Sequence, residues 1–230
     1  MGLNDAYKEQ FKQFVLQKLP DFYKGIGEFY QKRGGNSDSL TYFENHWPRF
    51  EMMIDIAREI WPESACEIGS FFPYTTYFWK CKNPALTIDL YDIILRELKG
   101  DVKPYDVDGI KLIDLNLCTE KLPDKGYDLI ILSEVLEHLP INLMQFSNEV
   151  VRLLNPCGYL IVSYPCQGYA PQCGYDKDMT GYDFNFLQEG HLREFTWDTV
   201  DLFFTGLSRI KKWELFYKAY GKMVICLYQR

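Results

Sequence analysis

The chain has 230 residues, 47% apolar and 25% charged, enough to fill the core of one generous α/β domain or two small ones. A net charge of −7 argues against a general DNA or RNA binder, whose affinity comes from neutralising phosphates with Lys and Arg. The chain opens polar and charged, and its longest apolar runs, such as 129–132 and 160–162, are far too short to cross a bilayer. The reading is a soluble, cytoplasmic protein without a secretory signal or a membrane partner. Its seven cysteines form no Cys-x-x-Cys pair, which fits free cytosolic thiols. Cys166 and Cys173 lie in one loop but lack the His partners of a zinc site, so no metal is expected.

In chain order, Tyr7, Phe11, Phe14 and Val15 repeat at helical spacing and predict a helix over 5–18 that stops at Pro20. Gly25, Gly27, Gly34 and Gly35 break the pattern, with room for a short helix between them. Ser37 and Asp38 can cap a further helical stretch, and Pro48 suits the first turn of a helix carrying Phe50, Met53, Ile54, Ala57 and Ile60 on one face. His46 and Arg49, near its start, approach a ligand or, taken singly, face solvent. Strands then alternate with helices: strands over 65–68, 85–88, 110–113, 127–132 and 159–163, and helices over 73–81, 91–98 and 143–154. A helical stretch over 197–204 precedes two strand-like runs, 209–217 and 222–228, joined tightly enough to pair antiparallel. The expected fold is α/β: a Rossmann-like, seven-stranded, mostly parallel sheet with a C-terminal antiparallel hairpin and helices on both faces. Residues 1–61 are expected to form a helical N-terminal lid, and 62–230 a catalytic domain compact with it.

Several residues in this frame carry chemistry. Cys66-Glu67-Ile68-Gly69-Ser70 is a strand that ends in acid-x-Gly. A glycine there lets the backbone approach a ligand, and the acid can accept hydrogen bonds from an ammonium. Asp89 lies 20 residues past Gly69, at the end of Leu86-Thr87-Ile88-Asp89, where an acid can grip two ribose hydroxyls. Ile113-Asp114-Leu115 ends the next strand. The run from Asp128 through Ser133, Glu134, Glu137 and His138 to Leu139 follows Leu122-Pro123-Asp124-Lys125-Gly126-Tyr127. It precedes Val151-Arg152-Leu153-Leu154-Asn155-Pro156-Cys157-Gly158-Tyr159-Leu160. A tight turn at Gly69, a loop acid at Asp89, a helix cap at Asp114 and a structural cap at His138 are the plainer readings of the same residues.

Together these four motifs make residues 62–164 resemble the core of a class I S-adenosylmethionine-dependent methyltransferase of the small-molecule group. The resemblance implies binding of S-adenosyl-L-methionine, with S-adenosyl-L-homocysteine as product. It implies that Glu67, Gly69, Ser70 and Phe71 form the turn under the methionine part of the cofactor. Asp89 would then hold the ribose. Asp114 and the Leu115 N–H would meet the adenine, with Asn116 competing for that role. Ser133 and Glu134 would lie near the methionine end, and Glu137 and His138 would orient it or face the acceptor. The turn departs from acid-x-Gly-x-Gly-x-Gly, with Phe71 and Pro73 where glycines usually stand.

The segment 165–195 follows the fifth strand, and loops of this length are usually functional when ordered. Its Gly190-His191-Leu192-Arg193 stretch resembles the family's acceptor side, which makes His191, with His138, a candidate catalytic base; His191 tying down the loop is the alternative. The implied reaction methylates an oxygen or nitrogen of a small molecule such as a sugar, a surface-glycan precursor or a specialised metabolite. The protein would act as a monomer or homodimer. A methyltransferase-like partner domain without turnover and, further off, an NAD-dependent oxidoreductase are the competing functions.

Overall fold

A computed structural model describes residues 3–32, 46–57, 59–70, 73–93, 104–166, 195, 198–217 and 221–230. The chain divides into two compact units, Met1–Asn116 and Leu117–Arg230.

The first unit opens with α1 (Leu3–Lys18) and α2 (Pro20–Lys32). Pro20 ends α1 but also starts α2, because a proline in the first turn gives up an N–H that has no helical partner there. The second helix runs through Gly25 and Gly27, where the sequence had suggested a break. Phe22 and Ile26 are buried one turn apart on it, and that packing outweighs the poor helix propensity of two glycines. Helix α3 (Trp47–Ala57) carries Pro48 in its first turn, as expected. Among the described residues, α1 presents Phe11 and Phe14 to the rings of Tyr77, at 5.5 and 4.3 Å. The Tyr7 hydroxyl donates to the Tyr74 carbonyl, pinning α1 to the start of α4 (Tyr74–Lys82). Phe50 of α3 packs at 4.8 Å on Tyr74. Much of the aromatic excess of the chain is used in this helical layer.

Strands β1 (Ser64–Ile68), β2 (Thr87–Asp92), β3 (Asp106–Val107) and β4 (Ile110–Asp114) form the sheet of this unit in the order β3-β4-β2-β1. β1, β2 and β4 are parallel, and β3 adds an antiparallel edge that the sequence reading did not contain. Counted with it, the described residues hold eight strands rather than seven. β2 also ends later than expected, because Leu90 and Tyr91 continue the buried strand instead of starting a helix.

The second unit contains β5 (Tyr127–Ser133), α5 (Leu143–Leu153), β6 (Leu154–Pro165), β7 (Ser208–Tyr217) and β8 (Gly221–Gln229). Its strands run in the order β5-β6-β8-β7, the first pair parallel and the others antiparallel, so the expected terminal hairpin is present. Asn142 caps α5 by accepting from the N–H groups of Met144 and Gln145 at 3.0 and 3.3 Å. Leu143, Phe146, Val150 and Leu153 form its buried stripe. Near 200 the expected helix is one short 3₁₀ turn, Thr199–Leu202. The element sequence is α/β and Rossmann-like, with N-terminal helices, parallel strands and antiparallel C-terminal strands. Among the described residues no helix is long and apolar enough to cross a membrane.

Candidate active site

In the first unit the chemistry gathers where β1, β2 and β4 end, the usual ligand side of parallel sheets. Glu67 is buried near the end of β1. Thr76, in the first turn of α4, donates its hydroxyl to Glu67 Oε2 at 3.1 Å. Burial pushes the Glu67 carboxyl up to about 8; the Thr76 hydroxyl and the Arg49 charge restrain the rise, and Asp92 adds to it.

Gly69 follows with φ +73°, a left-handed conformation that suits glycine. The Gly69 and Ser70 N–H groups both turn to the Tyr91 carbonyl, at 2.7 and 3.4 Å. That anchors the turn to β2.

Strand register decides which acids share a face. Glu67 pairs with Leu90, Leu90 with Leu112, and Asp92 with Asp114. Alternation along each strand therefore places Glu67, Asp92 and Asp114 on one face. Asp89 pairs with Cys66 and Lys111, so it lies on the opposite face and three residues before the strand end. The acid at the tip of β2 is Asp92, which the sequence reading passed over because it ended the strand at Ile88. The Leu115 N–H donates to the Asp92 carbonyl at 3.0 Å, so this group, expected on the adenine, is engaged in joining the ends of β2 and β4.

Two further groups lie in this unit. His46 and Arg49 are buried rather than solvent-facing, because α3 packs its first turns inward against α4. Burial and the neighbouring Arg49 hold His46 down to about 3, so it is neutral at physiological pH. Tyr105 packs its ring 5.2 Å from Phe22, and its hydroxyl is buried without a hydrogen-bond partner among the described residues. Burial raises its pKa, and the charges of Glu67 and Asp92 raise it further, so both acids are close by.

In the second unit, the ends of β5 and β6 carry a second constellation. Ser163 Oγ donates to Glu134 Oε1 at 2.9 Å and meets Ser133 Oγ at 3.1 Å. The Glu134 N–H donates to the Ser163 carbonyl at 3.1 Å, and Glu134 itself sits at φ +56°. Ser163 was not singled out in the sequence, since nothing in a strand's spacing says which residue of its neighbour it meets. Glu137 is fully buried on the short 3₁₀ turn Leu136–His138. His138 Nε2 lies 3.9 Å from its carboxylate, with the imidazole 36% exposed. Phe71 and His191 lie outside the described residues, as do Cys173 and Arg193.

This donor set fits a ligand that offers a cationic nitrogen and vicinal hydroxyls: a buried acid, a close-approach glycine and two strand-end carboxylates on one face. Comparison with known proteins agrees. Residues 64–162 match the family model described as "Methyltransferase domain". They form a class I S-adenosylmethionine-dependent methyltransferase domain. The matched stretch holds Glu67, Gly69, Ser70, Asp89, Asp92, Asp114, Leu115, Ser133 and Glu134, and Ser163 lies one position beyond it. No curated protein matches the sequence.

Solved structures share the methyltransferase fold. The N-methyltransferase NodS from Bradyrhizobium japonicum, in complex with S-adenosyl-L-homocysteine, aligns with a TM-score of 0.53 and 15% identity over 81% of this chain and 87% of its own. An S-adenosylmethionine-dependent methyltransferase from Mesorhizobium loti aligns with a TM-score of 0.55 and 17% identity, over 81% and 98%. Coclaurine N-methyltransferase, bound to N-methylheliamine and S-adenosyl-L-homocysteine, gives 0.56 and 11%, over 80% and 70%.

Proposed function

We propose that this methyltransferase methylates an oxygen or nitrogen of a small-molecule acceptor, with sugars, surface-glycan precursors and specialised metabolites as the candidate classes. The observation that carries the reading is the sharing of one face by Glu67, Asp92 and Asp114 at the strand ends. S-adenosylmethionine supplies an electrophilic methyl group on a sulfonium.

The remaining work falls to the chain. The Gly69–Ser70 turn admits the methionine part, continued by Phe71, and Glu67 accepts from the ammonium. Asp92 takes the ribose role that the sequence had given to Asp89, because Asp92 stands at the strand tip beside Asp114. Asp114 faces the adenine amino group. With the Leu115 N–H engaged, Asn116 is the next backbone donor for the ring. Ser133 and Glu134 serve the methionine end. For a hydroxyl acceptor, His191 or His138 receives the proton; an amine needs only alignment and a hydrogen-bond acceptor. Residues 1–61 act as the lid that excludes water.

The test is methyl transfer from labelled S-adenosylmethionine to paired panels of hydroxyl and amine acceptors. Transfer to one panel, lowered roughly 10²–10⁴-fold by His191→Ala for a hydroxyl acceptor, supports the reading. Binding of S-adenosylhomocysteine with no transfer to any acceptor makes the chain a partner domain instead.

A further inference from the structure

Glu134 has an unusual backbone. A non-glycine residue at φ +56° is held in a sparsely populated region of backbone conformation. Such a conformation persists only where neighbours over-determine it. Here Ser163 supplies two holds, one from its backbone and one from its side chain. The Ser163 carbonyl takes the Glu134 N–H at 3.1 Å, and the Ser163 hydroxyl binds the Glu134 carboxylate at 2.9 Å. Ser163 is fully buried and pairs with Ser133 across the parallel β5–β6 ladder, so its own position is fixed by the sheet.

Proton counting orders the group. A serine has one O–H, and that of Ser163 is given to the carboxylate. The 3.1 Å contact between Ser133 and Ser163 therefore runs from Ser133 as donor. The result is a directed chain, Ser133 to Ser163 to Glu134, whose two donors both point toward the carboxylate.

We propose that Ser163 is a positioning residue: it locks Glu134 in its left-handed conformation and thereby presents an oriented carboxylate to the cationic methionine end of the cofactor. The proposal rests on the reading that Glu134 serves that end. Ser163 lies in the interior of a strand and acts only through Glu134.

The test is a double-mutant cycle on S-adenosylhomocysteine affinity, read by isothermal titration, with thermal melts to confirm folding. Ser163→Ala is expected to weaken binding roughly tenfold or more, the loss typical of a hydrogen bond to a charged group. Ser163→Thr keeps the hydroxyl and is expected to retain affinity. Glu134→Ala is expected to weaken binding, and adding Ser163→Ala to it should do no further harm. If the two losses simply add, or if Ser163→Ala binds as well as the unaltered protein, the positioning role is overturned. If Glu134→Ala alone leaves affinity unchanged, the assignment of Glu134 to the cofactor fails first. The two failures are thus distinguishable.

Discussion

The Thr76 hydroxyl donates to the Glu67 carboxylate across 3.1 Å, so the buried acid that ends β1 is held by the first turn of the helix that follows it. Glu67 is nevertheless poorly compensated, and its carboxyl is pushed from 4.5 up to about 8 by burial. As pH rises through 4.5 the unfolded chain loses this proton while the folded chain keeps it. The contribution to stability is therefore full below about 4.5 and declines as pH rises toward 8. Each unit of displacement is worth about 1.4 kcal/mol. Glu67→Gln is predicted to remove this part of the decline and to be the more stable protein at pH 7–8. Denaturant melts of both proteins across pH 4–9 check it; parallel curves would show that Glu67 does not titrate this way.

The tip of β2 gives a second prediction. Asp92 shares a face with Glu67 and Asp114, whereas Asp89 faces the other way. Asp92→Asn is predicted to weaken S-adenosylhomocysteine binding by at least about tenfold, and by more than Asp89→Asn does. Titration of the two variants decides the order, and the reverse order would return the ribose to Asp89.

Tyr105 buries a hydroxyl that has no hydrogen-bond partner among the described residues. A desolvated polar group of this kind costs about 1–3 kcal/mol. Tyr105→Phe keeps the ring against Phe22 and is predicted to stabilise the ligand-free protein by about 1 kcal/mol, read as a rise in the denaturation midpoint. A destabilised variant would mean that the hydroxyl is satisfied after all.

How much of this was legible in the sequence depends on what each residue has to do. β4, β5 and α5 follow from apolar runs and from one amphipathic stripe, and the structure has them where the pattern does. Pro20 was read only as a stop, and Gly25 and Gly27 as breaks. The burial of Phe22 and Ile26 that supports α2 comes from tertiary contacts which local propensity does not register. β2 was cut short because Asp89 and Asp92 interrupt the apolar residues of 86–95, and the first of the two acids was taken as the end of the strand. His46 and Arg49 were read as approaching a ligand or, taken singly, facing solvent, and packing of α3 on α4 buries them. The Ser163–Glu134 pair was not legible, because the register of β5 on β6 includes an irregularity between Tyr127 and Leu129.

That irregularity involves a glycine that cannot be enlarged. A Cβ on Gly158 would stand 2.8 Å from the Asn155 carbonyl oxygen and 3.1 Å from that of Tyr127, and backbone atoms cannot swing aside. Gly158→Ala is predicted to destabilise the protein by roughly 1–3 kcal/mol and to lower its midpoint of unfolding. An unchanged midpoint would show that the bulge can relax.

The central claim is that the strand-end acids bind the cofactor of a methyltransferase. Its most direct test is isothermal titration with S-adenosylmethionine and S-adenosylhomocysteine, against NADH as control, in buffers of different ionisation enthalpy at pH 7. The account predicts binding of both adenosyl ligands but not of NADH, with net proton release, because Glu67 must ionise to meet the ammonium. Binding of NADH in their place, or no adenosyl binding at all, would contradict it.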